Sequence, residues 1–426
     1  MPSVLLAGLY MPGSGLTGVL MRLAAHLSAT NRITLLGFVP EDVHRDETLV
    51  IDGIRVHLLR GPQPRFSADP QWLAGEMTGT ETESRPSMVV VHGPAFLVAP
   101  LLEQLQPYRQ DCPIILYLPI EGQPVGGILP RRTALADLCL LYTQTAKEEL
   151  MKLVHMHPPS PTEPARRPTT FEVLGHGVDM HAFRPLHESH NDHTLRRITR
   201  RKMFPHRPDL ADAFLVLNAN RPYFRKRLDL TIDGFAVFAR TRPEAHLILH
   251  TGARSRADDM DLCARIASSG VSGQILLSPA LPQGDSLCLE RLNLLYNACD
   301  VGLSTAMGEG WGLTTFEHAA TGAPQIVPDH TTFQENWAGA SLLLPCMERQ
   351  FIFYESAEMF ITTPAAVAEA LTALYEQPTL RARLALAAYE RAADPRFRWE
   401  AFVKRFSLLT HSYQHPPTIP CQTHSS

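Results

Sequence analysis

No two of the seven cysteines form a CxxC pair and their number is odd, so the chain spells out neither a disulfide framework nor a thiolate zinc site. Cysteines 112, 139, 263, 288, 299, 346 and 421 read instead as reduced, mostly buried thiols of a cytoplasmic protein. No uninterrupted apolar run approaches the ~18–20 residues a membrane-spanning helix needs. The opening MPSVLLAGLYMPGSG has no basic residue before Arg22 and is not read as a secretory signal. Charge excess is missing too. The 39 Lys and Arg stand against 43 Asp and Glu, a net charge of -4, which excludes a chain built to neutralise a nucleic-acid backbone. At 45% hydrophobic and 19% charged residues, a disordered chain, a collagen-like fibre and a coiled coil are excluded as well. The 426 residues suit two or three domains.

What is present is an alternation of strand-like and helix-like segments. Residues 3–9, 33–38, 54–59, 88–92 and 114–118 are Val/Ile/Leu-rich runs, the pattern of parallel strands covered on both faces. Residues 138–143 and 171–174 continue it. A Pro-rich stretch (157–168) and a polar, basic one (185–212) interrupt the rhythm. It restarts with strands at 214–218, 245–250, 274–277, 301–304 and 325–328 and helices between them. The expected organisation is an α/β domain over 1–190, a linker over 191–211 and a second α/β domain over 212–395. A helix over 396–412 packs back on the first domain, and a disordered tail follows at 413–426. Ligands of open α/β sheets bind beyond the carboxyl ends of the strands, which places the site in the cleft between the halves.

Gly13-Ser14-Gly15-Leu16-Thr17-Gly18 follows a strand, opens a helix and fits GxGxxG, with Glu41 near the place of an acidic ribose ligand. Tyr10-Met11-Pro12 lengthens the turn beyond what a dinucleotide fingerprint needs. An NAD-dependent enzyme, a plain structural turn and a loop that approaches an anion or sugar therefore all remain open. In each, Gly13 and Gly15 let backbone N–H groups come close to a ligand.

The segment 294–329 is more specific. A strand runs into Gly308-Glu309-Gly310-Trp311-Gly312 and then into a helix, whose first N–H groups suit a phosphate. Glu309 has no capping role to explain it. Glu317, eight positions on, does: Thr314 and Glu317 have the spacing of a capping box. Carboxylates only accept hydrogen bonds, so beside a phosphate site they suit sugar hydroxyls. The cations come from Asn220-Arg221-Pro222-Tyr223-Phe224-Arg225-Lys226-Arg227, where Arg221 and Lys226 offer a planar fork and a mobile point charge for a diphosphate. His92 ends a strand before Gly93-Pro94 and points toward the cleft. Arg196–Lys202 reads as a solvated helix or as a basic face toward an acceptor or lipid.

These pieces together resemble the retaining glycosyltransferases of family 4, which have the GT-B fold. They are the Glu309/Glu317 pair, NRxxxRKRLDL at 220–230, HGVDxxxFRP at 176–185, His92 and the N-terminal glycine loop. The resemblance spans about residues 4–400. It implies two Rossmann-like domains facing each other across a cleft, and transfer of a hexose from a UDP-, GDP- or ADP-sugar to a sugar, lipid or small-molecule acceptor. By the family's pattern Glu309 and His92 contact the transferred sugar and Glu317 the ribose. Arg221, Lys226 and the amides of Gly310, Trp311, Gly312 and Leu313, with Thr314, serve the diphosphate. Same-face attack then needs no metal and no other cofactor. Nucleic acid is not an expected partner; a peripheral contact with the inner face of a membrane is. Two departures stand out: Trp311, where many members carry a smaller aromatic, and Ile120-Glu121-Gly122, where a His-containing segment is more usual. The rival readings are a GT-B epimerase or phosphorylase and a sugar-binding protein without catalysis.

Overall fold

The computed structural model describes residues 1–11, 13–40, 45–61, 66–80, 84–158, 168–186, 193–251, 262–277 and 287–414. Glu41, residues 159–167, residues 187–192, residues 252–261 and the tail from 415 lie outside the described residues.

The first half runs β1 (Ser3–Leu9), α1 (Gly15–Leu27), β2 (Arg32–Pro40), β3 (Arg45–Ile51), β4 (Ile54–Gly61), α2 (Pro70–Thr78) and β5 (Pro86–His92). It continues with α3 (Ala95–Leu105), β6 (Ile114–Leu118), β7 (Gln123–Pro124), α4 (Ile128–Thr133), β8 (Leu138–Leu141), α5 (Gln144–Met156) and β9 (Thr170–Val173). Eight of these strands form one sheet in the order β3-β4-β2-β1-β5-β6-β8-β9, parallel except where β3 pairs with β4. The apolar runs of β1, β6 and β8 are buried nearly end to end, as a sheet with helices on both faces requires. β3 was not expected, because its first three residues are charged. The Asp52-Gly53 turn behind it, with both residues at positive φ, is a hairpin signal.

The second half runs α6 (His193–Met203), β10 (Phe214–Asn218), α7 (Leu228–Ala239), β11 (Ala245–Leu249), α8 (Leu262–Ser268), β12 (Ile275–Leu277), α9 (Leu289–Ala298), β13 (Val301–Leu303) and α10 (Leu313–Ala320). Then come β14 (Gln325–Pro328), α11 (Thr331–Trp337), β15 (Leu342–Leu344), β16 (Glu348–Ile352), β17 (Ala357–Ile361), α12 (Pro364–Glu376), α13 (Pro378–Ala393) and α14 (Trp399–Gln414). Its parallel sheet has the order β12-β11-β10-β13-β14-β15. In both sheets the order reverses at the first strand of the half, β1 or β10, and the crevice for a ligand opens where such a strand ends.

Three departures from the expected organisation have physical reasons. Residues 193–211 are not a linker: α6 is fixed to the second half because Arg196 and Arg200 both pair with the buried Asp300. That also removes Arg196 and Arg200 from any acceptor- or lipid-facing surface and leaves Arg201 and Lys202 exposed. The expected disordered tail starts two residues too early, since α14 continues to Gln414. The third is a hairpin, β16–β17, that reaches across to the first half: β17 pairs antiparallel with β7. Helix α14 meets the first half through Ser407, 3.0 Å from His26, and through Phe402 beside Tyr117. Among the described residues no helix is long and apolar enough to cross a membrane.

Candidate active site

Two loops of the second half are tied together at the carboxyl end of its sheet. Asn218, the last residue of β10, accepts hydrogen bonds at Oδ1 from the Asn220 backbone (3.1 Å) and side chain (2.7 Å), which turns the chain sharply into 220–227. Thr305, just after β13, donates to the carbonyl of Arg227 at 2.7 Å, and the Met307 amide donates to the carbonyl of Arg225 at 2.8 Å. The cationic loop therefore lies against the loop that carries Glu309.

Glu309 is buried and ion-paired to Lys226, and its Oε2 accepts from Arg225 at 3.2 Å. Burial pushes its pKa up, but Lys226 and Arg225 outweigh that and hold it below the ordinary carboxylate value. Arg225 also reaches into the first half, where its Nε lies 2.6 Å from Glu121 Oε2. Burial raises the Glu121 carboxyl, and Glu355 nearby is pushed up to about 8 by burial and by Glu121. Glu121 thus stands where a histidine was the usual expectation, and it joins the halves through Arg225.

Arg221 differs from its neighbours. It is half-buried, burial lowers its pKa, and it has no carboxylate partner among the described residues; its Nη1 lies 3.8 Å from Met11 Sδ of the first glycine loop. That loop is held by Thr17, whose hydroxyl donates to the Leu9 carbonyl and accepts from the Met11 amide. Gly13 sits at φ 75°, and a Cβ on Gly15 would lie 3.0 Å from Leu313 at the start of α10. The glycine loop, Arg221 and the first turn of α10 therefore face one another.

Helix α10 does not begin as the capping-box spacing predicted. Its N-cap is Gly312 at φ 90°, so Thr314 is already inside the helix and Glu317 caps nothing. The left-handed conformation that glycine permits ends the loop two residues earlier than the capping box would. The Leu313 and Thr314 N–H groups have no backbone or side-chain acceptor among the described residues, and Thr314 borders a narrow crevice with Asn220. Glu317 is half-buried and accepts the Tyr296 hydroxyl at 3.0 Å. Burial lifts it to about 7, against that hydrogen bond and nearby Arg22. Arg22 pairs with Asp179 of the expected HGVD turn and stacks on Trp399.

Two predicted residues lie elsewhere than expected. His92 is 0% exposed, stacked on Tyr117 with its Nε2 2.6 Å from the Tyr142 hydroxyl, and burial lowers its pKa to about 3. A Cβ on Gly310 would lie 3.2 Å from the Tyr142 ring, so Tyr142, not His92, meets the Glu309 loop. Trp311 is core: its ring stacks on Phe316 and lies edge-on to His176, and a Cβ on Gly175 would sit 2.5 Å from it. It locks the halves together and does not shape an open sugar pocket. Arg225, Glu121, Tyr142 and Tyr296 were missed as site residues. Arg225 and Glu121 stood in segments already quoted, whereas nothing local marks the two tyrosines.

A Glycosyl transferase-like family model matches residues 271–406, a stretch that holds the Glu309 loop and α10. Mannosylfructose-phosphate synthase of Agrobacterium fabrum is 31% identical over 121 residues, 27% of this chain and 25% of its own, so the match spans about a quarter of that relative. Sucrose-phosphate synthase of Thermosynechococcus elongatus superimposes with a TM-score of 0.70 at 14% identity, covering 97% of this chain and 99% of its own. The α,α-trehalose 6-phosphate synthase of Burkholderia multivorans gives 0.68 at 13% identity, covering 96% of each chain. HepE of Anabaena, solved with UDP and glucose, gives 0.68 at 13% identity, covering 97% of this chain and 100% of its own. The chain has the GT-B fold, as its motifs led us to expect.

Proposed function

We propose that the chain is a retaining glycosyltransferase of family 4 that moves a hexose from a nucleotide-diphosphate sugar to an acceptor in the interdomain cleft. The observation that carries this reading is Arg221, a half-buried cation with no carboxylate partner among the described residues, facing the first glycine loop and the α10 start. A diphosphate supplies the missing counter-charge, and the Leu313 and Thr314 amides supply further donors. Glu309, held ionised by Lys226 and Arg225, accepts hydroxyls of the transferred sugar; Glu317 accepts the ribose diol. Lys226 stays with Glu309 and shares its charge with the departing phosphate. Catalysis is then positioning and charge stabilisation, with the leaving phosphate oxygen taking the acceptor's proton on the same face. The family match and the UDP and glucose bound by HepE support a sugar nucleotide as donor.

The test is release of nucleoside diphosphate from UDP-, GDP- and ADP-glucose, followed by NMR of the product anomer. Release from one of the three with the donor's configuration kept supports the reading; inversion removes the retaining step. Release that requires inorganic phosphate points to a phosphorylase. Arg221 and the helix amides do the charge work of a divalent ion, so turnover is expected to survive EDTA. Complete loss, restored by Mg²⁺ or Mn²⁺, overturns that part.

A further inference from the structure

Beside Arg225 the cleft mouth carries aromatic side chains that no step above uses. Tyr354, in the turn between β16 and β17, lies edge-on to Phe96 of the first half at 5.0 Å and to Phe224 of the second at 6.1 Å. Tyr223 packs beside Phe224 at 5.4 Å, and the Arg225 guanidinium lies 5.7 Å from the Tyr223 ring. Phe96, Tyr354, Phe224 and Tyr223 thus form one chain of ring contacts that ends at Arg225, which is itself paired with Glu309. A core would bury them, yet Tyr354 and Phe224 are each 37% exposed and Tyr223 36%. The polar groups beside them are carboxyls: Glu121, joined to Arg225, and Glu355, which feels Glu121, Arg225 and Arg132.

This combination selects a ligand chemistry. A pyranose has C–H faces that lie against aromatic rings and hydroxyls that donate to carboxylates. A phosphate at the same place meets the carboxyls of Glu121 and Glu309, while Arg225 is already held between these two and Lys226 is paired with Glu309. Arg221, with no carboxylate partner among the described residues, stands instead against the first glycine loop. The charge of the cleft is thus divided, cationic toward the first glycine loop and carboxyl-lined toward Tyr354.

We propose that the Tyr223–Phe224–Tyr354 strip is the acceptor subsite and that it takes an uncharged pyranoside, with hydroxyls toward Glu121 and Glu355. This rests on the glycosyltransferase reading and deepens it. The solved neighbours include sucrose-phosphate and trehalose 6-phosphate synthases, and here the acceptor is expected to lack the phosphate.

The experiment uses the full chain and saturation-transfer NMR with methyl α-glucopyranoside, p-nitrophenyl β-glucopyranoside and glucose 6-phosphate as probes. Tyr354→Ala, Phe224→Ala and Tyr354→Phe are compared after their melting curves show that they fold. We expect the two neutral glycosides to bind and the phosphate to bind weakly or not at all. Each alanine variant weakens the glycosides by about 3- to 10-fold, the scale of one aromatic contact, and Tyr354→Phe restores them. Glucose 6-phosphate that binds as well as the neutral probes overturns the proposal, as do alanine variants that bind the glycosides like the parent. Concentration-dependent dimerisation lost in Tyr354→Ala also overturns it, because the strip is then a self-contact. UDP, GDP and ADP are titrated separately by calorimetry. If none binds, the glycosyltransferase reading fails on its own, whatever the glycoside signals show.

Discussion

Glu309 and Glu317 stand eight residues apart at either end of one loop-helix unit, yet their surroundings give them opposite character. Glu309 is surrounded by cations and stays charged although buried; Glu317 has a single phenol and is lifted to about 7. The difference teaches that burial alone does not set a carboxylate's state. The count of cations within bonding distance does. It also separates two tasks: a permanent anion at the reaction centre, and an acceptor whose readiness depends on pH.

The sharpest way to break that comparison is to remove Glu309. Glu309→Ala strands Lys226 in a buried place and leaves Arg225 with Glu121 alone, and breaking such a network costs about 3–5 kcal/mol. Urea unfolding should show that loss, together with loss of sugar transfer. A cost under about 1 kcal/mol, the range of exposed pairs, would mean that the pairing is a surface one.

The next effect is smaller and confined to the donor. Glu317→Gln should weaken nucleotide-sugar binding by about 10- to 150-fold, because charge-assisted bonds of roughly 1.5–3 kcal/mol are lost. Its effect on stability should be slight. Calorimetry that finds an unchanged donor Kd removes Glu317 from the site.

The pH dependence separates the two glutamates again. The folded pKa of Glu317, about 7, lies above its ordinary 4.5, so the folded state keeps a proton that the unfolded chain releases. Its contribution to stability is full below about pH 4.5 and is lost as the pH rises to about 7. Donor affinity should move the other way and strengthen through pH 7 as the carboxylate forms. Glu317→Gln should flatten both trends; if wild-type donor affinity is level from pH 6 to 8, the ionised carboxylate is not the ribose acceptor.

The smallest effect is expected at Thr314. A true N-cap Thr→Ala change costs about 1 kcal/mol. With Gly312 as N-cap, Thr314→Ala should change stability by less than about 0.5 kcal/mol, as surface substitutions do. A full cap penalty in thermal unfolding would restore the capping box and the structural account of Glu317.

Much of the fold was legible because its signals are local. Apolar runs gave the parallel strands, and their βα spacing gave two open sheets. What escaped were elements without such a period: β3 with its charged start, and the β16–β17 hairpin, whose partner β7 is two residues long. At the site, the Glu309 loop and the cationic segment could be read, since glycines and clustered charges are visible in sequence. His92 was expected to meet the sugar because a strand end points into the cleft, but the residues roofing it come from β6 and the end of β8.

The sequence by itself determined the alternation, the two glycine turns, and the supply of carboxylates and cations, because backbone conformation and side-chain chemistry belong to short segments. The tertiary structure decided which groups meet. Arg225 and Glu309 are 84 residues apart, and Glu335 accepts the first amides of α5 from 190 and 191 residues away. Only tertiary packing turns Glu309 into a held anion, lifts Glu317 to about 7 and makes Trp311 core. Burial and neighbouring charge are properties of the assembled fold, and no local pattern encodes them.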